Sequence, residues 1–342
     1  MMDQVFSLIQ KLRAKSVYFL VLIGIFVLIF PQLTDNQYIL HISIRILIYM
    51  LLASSLNMIV GYTGQYNIGQ AGFYAIGAYT AAIIATRAGY SFLLILPLCG
   101  IMAASMSAFL GFPTLRLRGI FFAFTTLGFS EVVRLTILNW RTLTRGTFGI
   151  PGIPLPEIVN FQISTNNHFY YLGLFLLVVM LFISHRLINS RIGRAWVAIR
   201  EDENAAKAMG VETFKYKMIN LMYGTFWAGI AGGFFAYFAG YISADSFILD
   251  ESFAILAMVL VGGKGTLVGP IVGAIILTIL PELVREIARY RLVIFGIAIL
   301  VMVHYRPQGI AGAKAEGRRI DVEKEYEAGI SENAVETTAP GN

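Results

Sequence analysis

Charged side chains are scarce in this 342-residue sequence, at 13% of positions against 57% hydrophobic. A soluble chain of this length would make about two domains, and so little charge cannot clothe their surfaces. Cysteine occurs once, as Cys99 inside an apolar run, which excludes an intramolecular disulfide and leaves a packing role. The four histidines, His41, His168, His185 and His304, are scattered at the ends of apolar runs or alone within them. No paired carboxylates, metal-ligand spacing or nucleophile elbow lies beside them, so no metal site and no catalytic constellation emerges. A phosphate loop is also missing. Residues 262–266 read GGKGT, yet the G-x-x-x-x-G-K-[ST] spacing would need glycine at Met258 and a hydroxyl residue where Gly265 follows Lys264. A chain without that loop cannot bind ATP by that route.

What the sequence has instead is a succession of apolar runs and a mean hydropathy of +0.71. A membrane crossing needs about 20 apolar residues, and these runs are too long and too many for one soluble core. The fold expected is an all-α, polytopic transmembrane bundle. Hydropathy and helix breakers predict ten spans, near 16–31, 38–60, 70–86, 91–113, 118–139, 168–185, 216–241, 249–262, 266–286 and 289–304. Glycines in Tyr62–Gln70 and Gly262–Pro270 interrupt otherwise continuous apolar sequence, which predicts broken or re-entrant segments and a count of eight to ten. Lys11, Arg13 and Lys15 precede the first run as in a signal peptide, but Pro31 and Gln32 follow it rather than an A-x-A cleavage site, so it reads as a retained span. The net charge of +6 comes from basic residues at the ends of apolar runs, which fits cytoplasmic flanks rather than nucleic-acid binding. With the 186–217 loop inside, both termini are cytoplasmic. Arg116, Arg118, the seven basic residues of that loop, Lys264 and Arg306 then share its side. Arg285, Arg289 and Arg291 run against the rule, offset in part by Glu282 and Glu286. Tyr170 and Tyr171, beside His168 and Phe169, read as part of an interfacial aromatic belt.

The most polar stretch between spans is His185–Lys217. Arg194–Gly210 is rich in alanine, with Asp202 placed to cap a second short helix and Gly210 placed to end it. Two short helices should therefore meet near Glu201 and Asp202. Their apolar stripe, Ala195, Ala198, Ile199, Ala206 and Met209, would be exposed beside the membrane unless a partner covers it. From charge alone a solvated linker and a docking element fit equally. The string GRAWVAIREDENAAKAMGV, Gly193–Val211, resembles the cytoplasmic loop by which permeases of the branched-chain amino acid family of ATP-binding cassette importers contact their ATPases.

Five further strings are similar to that family. GYTGQYNIGQAGFYAIGAY, Gly61–Tyr79, matches GxxGQxSxGxAAFxxIGAY, with Asn67 and Gly72 departing from Ser and Ala. Its glycines serve either close helix packing or an unwound segment that exposes backbone to substrate. Gln65, Asn67 and Gln70 favour a lined cavity, because polar side chains at that depth need partners. VGGKGTLVGPIVGA, Val261–Ala274, matches GGxGTxxGPxxGA except at Lys264, and Tyr305–Gly309 reads YRPQG. Arg116–Trp140 matches RGxxFAxxTLGFxE and sets Glu131 three residues from Arg134, either as a self-neutralising pair or, beside Thr125 and Thr126, on a translocation path, with Arg45 a further candidate partner. In the outer loop Trp140–Asn167, whose Gly and Pro density forbids a regular helix and which suits a soluble partner, LTRGTFG is similar to LTGGxxG, with Arg145 in place of Gly.

The resemblance implies a transport subunit rather than an enzyme, without cofactor or metal, working by alternating access across the inner membrane. Its partners would be a homologous permease subunit, two cytoplasmic ATPases and an external substrate-binding protein; no nucleic acid is expected. Coupling is implied for Gly193, Arg194, Ala198, Arg200, Glu201, Asp202, Glu203, Ala206 and Gly210. A translocation path is implied for Gly64, Gln65, Asn67, Gly69, Gln70, Thr126, Glu131, Gly262, Gly263 and Gly265. Branched-chain amino acids are the expected cargo, with urea or short amides the alternative. An ATP-independent carrier would not need the loop, and an intramembrane enzyme would need more titratable groups than Glu131, Arg134 and Arg45. The permease domain is placed at 1–310 and a disordered cytoplasmic tail at 311–342, too polar and glycine-rich to bury a core.

Overall fold

The computed structural model describes residues 27–34, 36–88, 91–117, 119–158, 161–283, 296, 300 and 309–311. Most of the expected spans at 16–31 and 289–304, and the tail beyond 311, lie outside these residues. Among the described residues four helices are long and apolar enough to cross a membrane: Gln37–Tyr62, Phe92–Thr114, Ile120–Asn139 and Asn166–Ile188.

Helix α1, Gln37–Asn57, starts where the Asn36 side chain accepts a hydrogen bond from the Tyr38 N–H. It runs into a π-helical turn, Met58–Tyr62, and then unwinds; Gln70 opens α2, Gln70–Ala88. Helices α3, Phe92–Thr114, and α4, Ile120–Asn139, follow. A connecting segment then contains the four-residue α5, Arg141–Thr144, and β1, Ile150–Pro151, with the hairpin β2, Glu157–Ile158, and β3, Phe161–Gln162. Next come α6, Asn166–Ile188, the short α7, Arg191–Glu201, and α8, Glu203–Ala208. After them stand α9, Thr213–Ala239, β4, Tyr241–Ile242, α10, Leu249–Gly262, and α11, Gly269–Leu283. The expected span boundaries hold to within a few residues for these helices.

The core lies where α9 crosses α2 and α3, and backbone meets backbone there. A Cβ on Gly77 would collide with the Gly229 carbonyl, one on Gly232 with the Tyr74 carbonyl, and one on Gly229 with the Cys99 carbonyl. Lipid provides little hydrophobic drive between helices, so close approach at small residues is what makes such crossings stable. Phe73, Phe234 and Phe247 fill the space beside them, all fully buried. The apolar faces of α3, α4 and α6 point outward instead, with Phe109, Phe124 and Phe175 exposed at 77%, 61% and 63%. That is the side a bilayer or a partner subunit would cover.

The helix ends gather in two sets. At one end the unwound 63–66 segment, the turn after α3, the α7–α8 hairpin and the 263–266 loop come together. At the other, Arg87 donates to the Thr142 and Leu143 carbonyls, and β1 pairs antiparallel with β4 through Ile150↔Ile242. The 140–167 loop is thus tied to the end of α9, and the single turn of α5 forms within it. Thr144 closes that turn through its hydroxyl, which donates to the Ile137 carbonyl at 2.6 Å.

Arg145, where the family pattern has glycine, sits at φ 61° and is the one non-glycine residue with positive φ among those described. Left-handed backbone costs an L-residue about 1–2 kcal/mol, and glycine escapes that cost at the price of some unfolded-chain entropy. Among the described residues the exposed Arg145 side chain makes no hydrogen bond or ion pair that would repay it. Arg145→Gly is therefore expected to stabilise the protein by about 0.5–1 kcal/mol, visible as a rise of a few degrees in the thermal unfolding of the detergent-solubilised chain.

Candidate functional site

The α7–α8 hairpin is built by caps read directly from its sequence. The Ser190 hydroxyl accepts from the Ile192 N–H to start α7, and Asp202 accepts from the Asn204 and Ala205 N–H groups at 2.8 and 3.1 Å to start α8. At the far end Gly210, at φ 83°, donates to the Lys207 carbonyl and Val211 to the Ala206 carbonyl, which is the Schellman arrangement. Gly193 lets α7 fold back on α6, since a Cβ there would strike the Ile188 carbonyl.

The expected exposed stripe is corrected here. Ala195, Ile199 and Ala206 are buried by the chain itself, and only Ala198 and Met209 of the five are exposed, Met209 at 85%. The reason is Trp196, fully buried against Met58 and Tyr62, with its indole N–H donating to the Tyr216 carbonyl at 2.9 Å. The hairpin is seated on the membrane body rather than hanging from it. Lys217 at the start of α9 fixes α8 through Glu203 at 2.5 Å. What remains open to a partner is polar: Arg194, Glu201, Asp202 and Lys207 with Ala198 and Met209.

Arg200 joins this hairpin to the first break in the helices and lies beside the second. Its Nη1 donates to the Gly61 carbonyl at 2.9 Å while Nη2 donates to the Glu201 carboxylate at 2.7 Å. The Gly61 carbonyl is available because the helix ends beyond Tyr62, and the last carbonyls of a helix have no partner further along it. Gly265, at φ 79°, approaches the same spot, where an added Cβ would come within 3.0 Å of Arg200 Nη1. Directly above, Asn57 clamps the two breaks together. Its Nδ2 donates to the Thr266 carbonyl and its Oδ1 accepts from the Gly265 N–H, both at 2.8 Å. Residues 309–311 complete the junction: the Ile310 and Ala311 N–H groups donate to the Val261 and Gly262 carbonyls, and the Thr266 hydroxyl donates to the Ala311 carbonyl. Ala311, assigned to the tail from composition, is thus fastened to the body.

The other expected path residues divide. Asn67 and Gln70 are fully buried but partnered within the protein, Asn67 Nδ2 donating to Gln70 Oε1 and Gln70 Nε2 donating to the Ser55 hydroxyl. The Ile68 N–H donates to the Thr126 hydroxyl, and Gly69 lies against the Thr126 backbone. The Ala71 N–H donates to the Ser252 hydroxyl. These contacts answer the polar demand of Asn67, Gln70 and the 68–71 backbone within the protein. Gly262 is pressed against Gly269, and Gly263 against Gly309. Gly64 and Gln65, by contrast, line a cavity. Glu131 pairs with Arg134 at 2.5 Å, half-exposed on α4; Arg45 makes no ion pair with it. Sequence reasoning passed over Asn57, Ser55, Trp196 and Lys217. The available signal was Ser54, Ser55 and Asn57 inside the apolar run of α1, since polar groups at such depth require partners.

Comparison with known proteins adds the remaining information. Residues 38–303 match the family described as branched-chain amino acid transport system, permease component. The chain is 36% identical over 319 residues to the high-affinity branched-chain amino acid transport system permease protein LivM of Escherichia coli, covering 86% of this chain and 75% of that one. It is 27% identical to a probable LivM of Methanocaldococcus jannaschii, covering 78% and 91%. It is 26% identical to the permease protein LivH of Salmonella typhimurium, covering 77% and 91%. No solved structure matches.

Proposed function

The chain belongs to the permease components of branched-chain amino acid transport systems, and from that premise we propose how it works. It is a transport subunit and not an enzyme. As an ATP-binding cassette importer permease with no nucleotide loop of its own, it takes its energy from separate ATPase subunits that grip the open polar face of α7–α8. A homologous permease subunit of the LivH kind covers part of the outward apolar surface, and an external binding protein delivers the cargo to the 140–165 loop. The cargo is a branched-chain amino acid, as the names of the relatives suggest. The hairpin faces the cytoplasm of an inner membrane, because basic residues concentrate at its end of the bundle, and both termini lie on that side.

The observation that carries this reading is the reach of Arg200 from the hairpin to Gly61, beside the Asn57 clamp that joins both breaks. Displacing the hairpin moves a side chain already bonded to the place where the membrane helices unwind. Gating by a rigid rocking of elements about such a joint is a two-state change that the ATPases bias.

Gly210→Val tests the coupling. Nothing lies within 4 Å of an added Cβ at Gly210, so no clash results, but a β-branched residue at φ 83° is strained by about 1–2 kcal/mol and the end of α8 must rearrange. In proteoliposomes holding the whole complex, uptake is expected to fall about tenfold, the equivalent of 1.4 kcal/mol, with ATP hydrolysis continuing and the protein present at its normal level. Undiminished uptake would count against the assignment of this hairpin.

A further inference from the structure

We propose that the 144–149 turn is a rigid post that recognises an acidic soluble partner, Arg145 supplying the charged contact and Phe148 the apolar one. The proposal rests on the reading above, in which the end opposite the hairpin faces outward and a binding protein docks there. The turn follows α5 and is held by the chain around it. The Gly146 N–H donates to the Thr144 hydroxyl at 3.2 Å, the Phe148 N–H to the Arg145 carbonyl at 3.3 Å, and the Tyr241 hydroxyl to the Phe148 carbonyl at 3.2 Å. A Cβ on Gly149 would strike the Ile242 carbonyl, so the turn is seated directly on β4.

On this ordered backbone a phenyl ring stands in the open. Phe148 is 83% exposed, and among the described large apolar side chains only Met209 on the hairpin is more so. Phe109 lies within a crossing helix, where lipid or a partner subunit covers it, whereas Phe148 stands beyond the ends of α4 and α5. Arg145 is exposed as well, and neither its side chain nor that of Arg141 forms a hydrogen bond or ion pair among the described residues. Its φ of 61° is costly for any residue but glycine. Strained backbone persists where the side chain it carries has a use, and among the described residues Arg145 has none.

An aromatic ring and an arginine fixed in advance are the side chains that dominate protein–protein binding, because little freedom is lost when they dock. The partner that fits offers an apolar recess for the ring, rimmed by aspartate or glutamate for the guanidinium. A folded protein presents that pair at a fixed spacing. A lipid headgroup is fluid, follows whichever way an arginine points, and gains nothing from a left-handed backbone. Thr147, exposed between the two, is likewise suited to a wet protein interface. A partner without carboxylates at that place gains nothing from Arg145, so this residue discriminates among binding proteins.

The experiment uses the full complex in lipid nanodiscs and the purified substrate-binding protein of the same transport system. Arg145→Gly is informative because it is expected to stabilise the chain, so weaker docking cannot be ascribed to misfolding. At low ionic strength its Kd for the binding protein should rise about tenfold, mostly through slower association, and the difference should shrink to about twofold or less at about 0.5 M salt. Phe148→Ala should also raise Kd about tenfold, at both salt levels and through faster dissociation. Phe148→Cys reports the surroundings, since the native Cys99 is fully buried and does not compete for reagent. In right-side-out vesicles it should react with a membrane-impermeant maleimide, and in nanodiscs a bimane attached there should be shielded from iodide when the binding protein is added. Quenching of that bimane by spin-labelled lipid would show that the turn rests on the membrane and would overturn the proposal, as would wild-type affinity in either Arg145→Gly or Phe148→Ala. An absence of maleimide reaction, or of any binding by the wild-type complex, argues against the orientation and partner of the import reading, and the post falls with it. Labelling and binding that are both intact, with affinity indifferent to the substitutions, argue against this post alone.

Discussion

Replacing Gly77 by valine is expected to remove most of the protein from the membrane. The Cβ would enter the Gly229 carbonyl, and that atom belongs to the backbone of α9, which cannot step aside as a side chain can. The helices must separate, and the neighbouring contacts at Gly229 against Cys99 and Gly232 against Tyr74 separate with them. Overpacking typically costs 1–3 kcal/mol and more where backbone is displaced, so about 3 kcal/mol or more is expected here. A loss of that size lowers the steady-state level of a membrane protein severalfold through quality control. Quantitative immunoblotting of membranes, with size-exclusion profiles of the solubilised complex, measures it. Gly128→Ala on α4 is the control, since nothing lies within 4 Å of its Cβ, and it should leave both readouts unchanged. A Gly77→Val protein recovered at normal level and with a normal profile would mean that the α2 and α9 crossing is not as close as described.

Asn57→Leu should leave the protein in the membrane but stop it transporting. Leucine has the branching and the number of side-chain heavy atoms of asparagine, so the site, 1% exposed, still fills. What disappears is the pair of 2.8 Å hydrogen bonds to Gly265 and Thr266. The abandoned backbone N–H and carbonyl each carry a cost of about 1–3 kcal/mol if nothing replaces the partner. The 263–266 loop relieves that cost by moving away from the π-helical turn, and the two breaks then no longer follow the hairpin together. A shift of about 2 kcal/mol changes a two-state balance about 30-fold, so uptake is expected to fall by at least an order of magnitude. ATP hydrolysis by the assembled complex should persist. Parallel assays of uptake and hydrolysis in proteoliposomes decide the matter. Equal loss of both would indicate failed assembly, and retention of both would show that the clamp carries no motion.

How far the sequence reveals this architecture depends on the range of the interactions. Features set within one turn were legible. Asp202 and Gly210 cap α8 as local rules require, Glu131 finds Arg134 three residues along, and the glycine clusters do interrupt the helices at 63–69 and 263–268. Features set by tertiary placement were not. The periodicity of Ala195, Ile199 and Ala206 showed a buried face, but it could not show that Met58, Tyr62 and Tyr216 cover that face instead of another protein. Asn67 and Gln70 were read as lining a cavity, and their partners at Ser55 and within their own turn belong to packing that only the folded chain makes visible. Arg45 lacked any local signal that would have told it apart from a partner for Glu131. The departure at Arg145 from the family's glycine was visible in the sequence, while its backbone conformation was not.

The bonds from Ile310 and Ala311 to the end of α10 also bear on the timetable of biosynthesis. A chain emerges from the ribosome N-terminus first, and its early portions fold before its late ones. The crossing of α2, α3 and α9 can close while translation is still under way. The 263–266 loop must wait until residue 311 has cleared the exit tunnel. Until that moment the nascent subunit has a body but no finished joint.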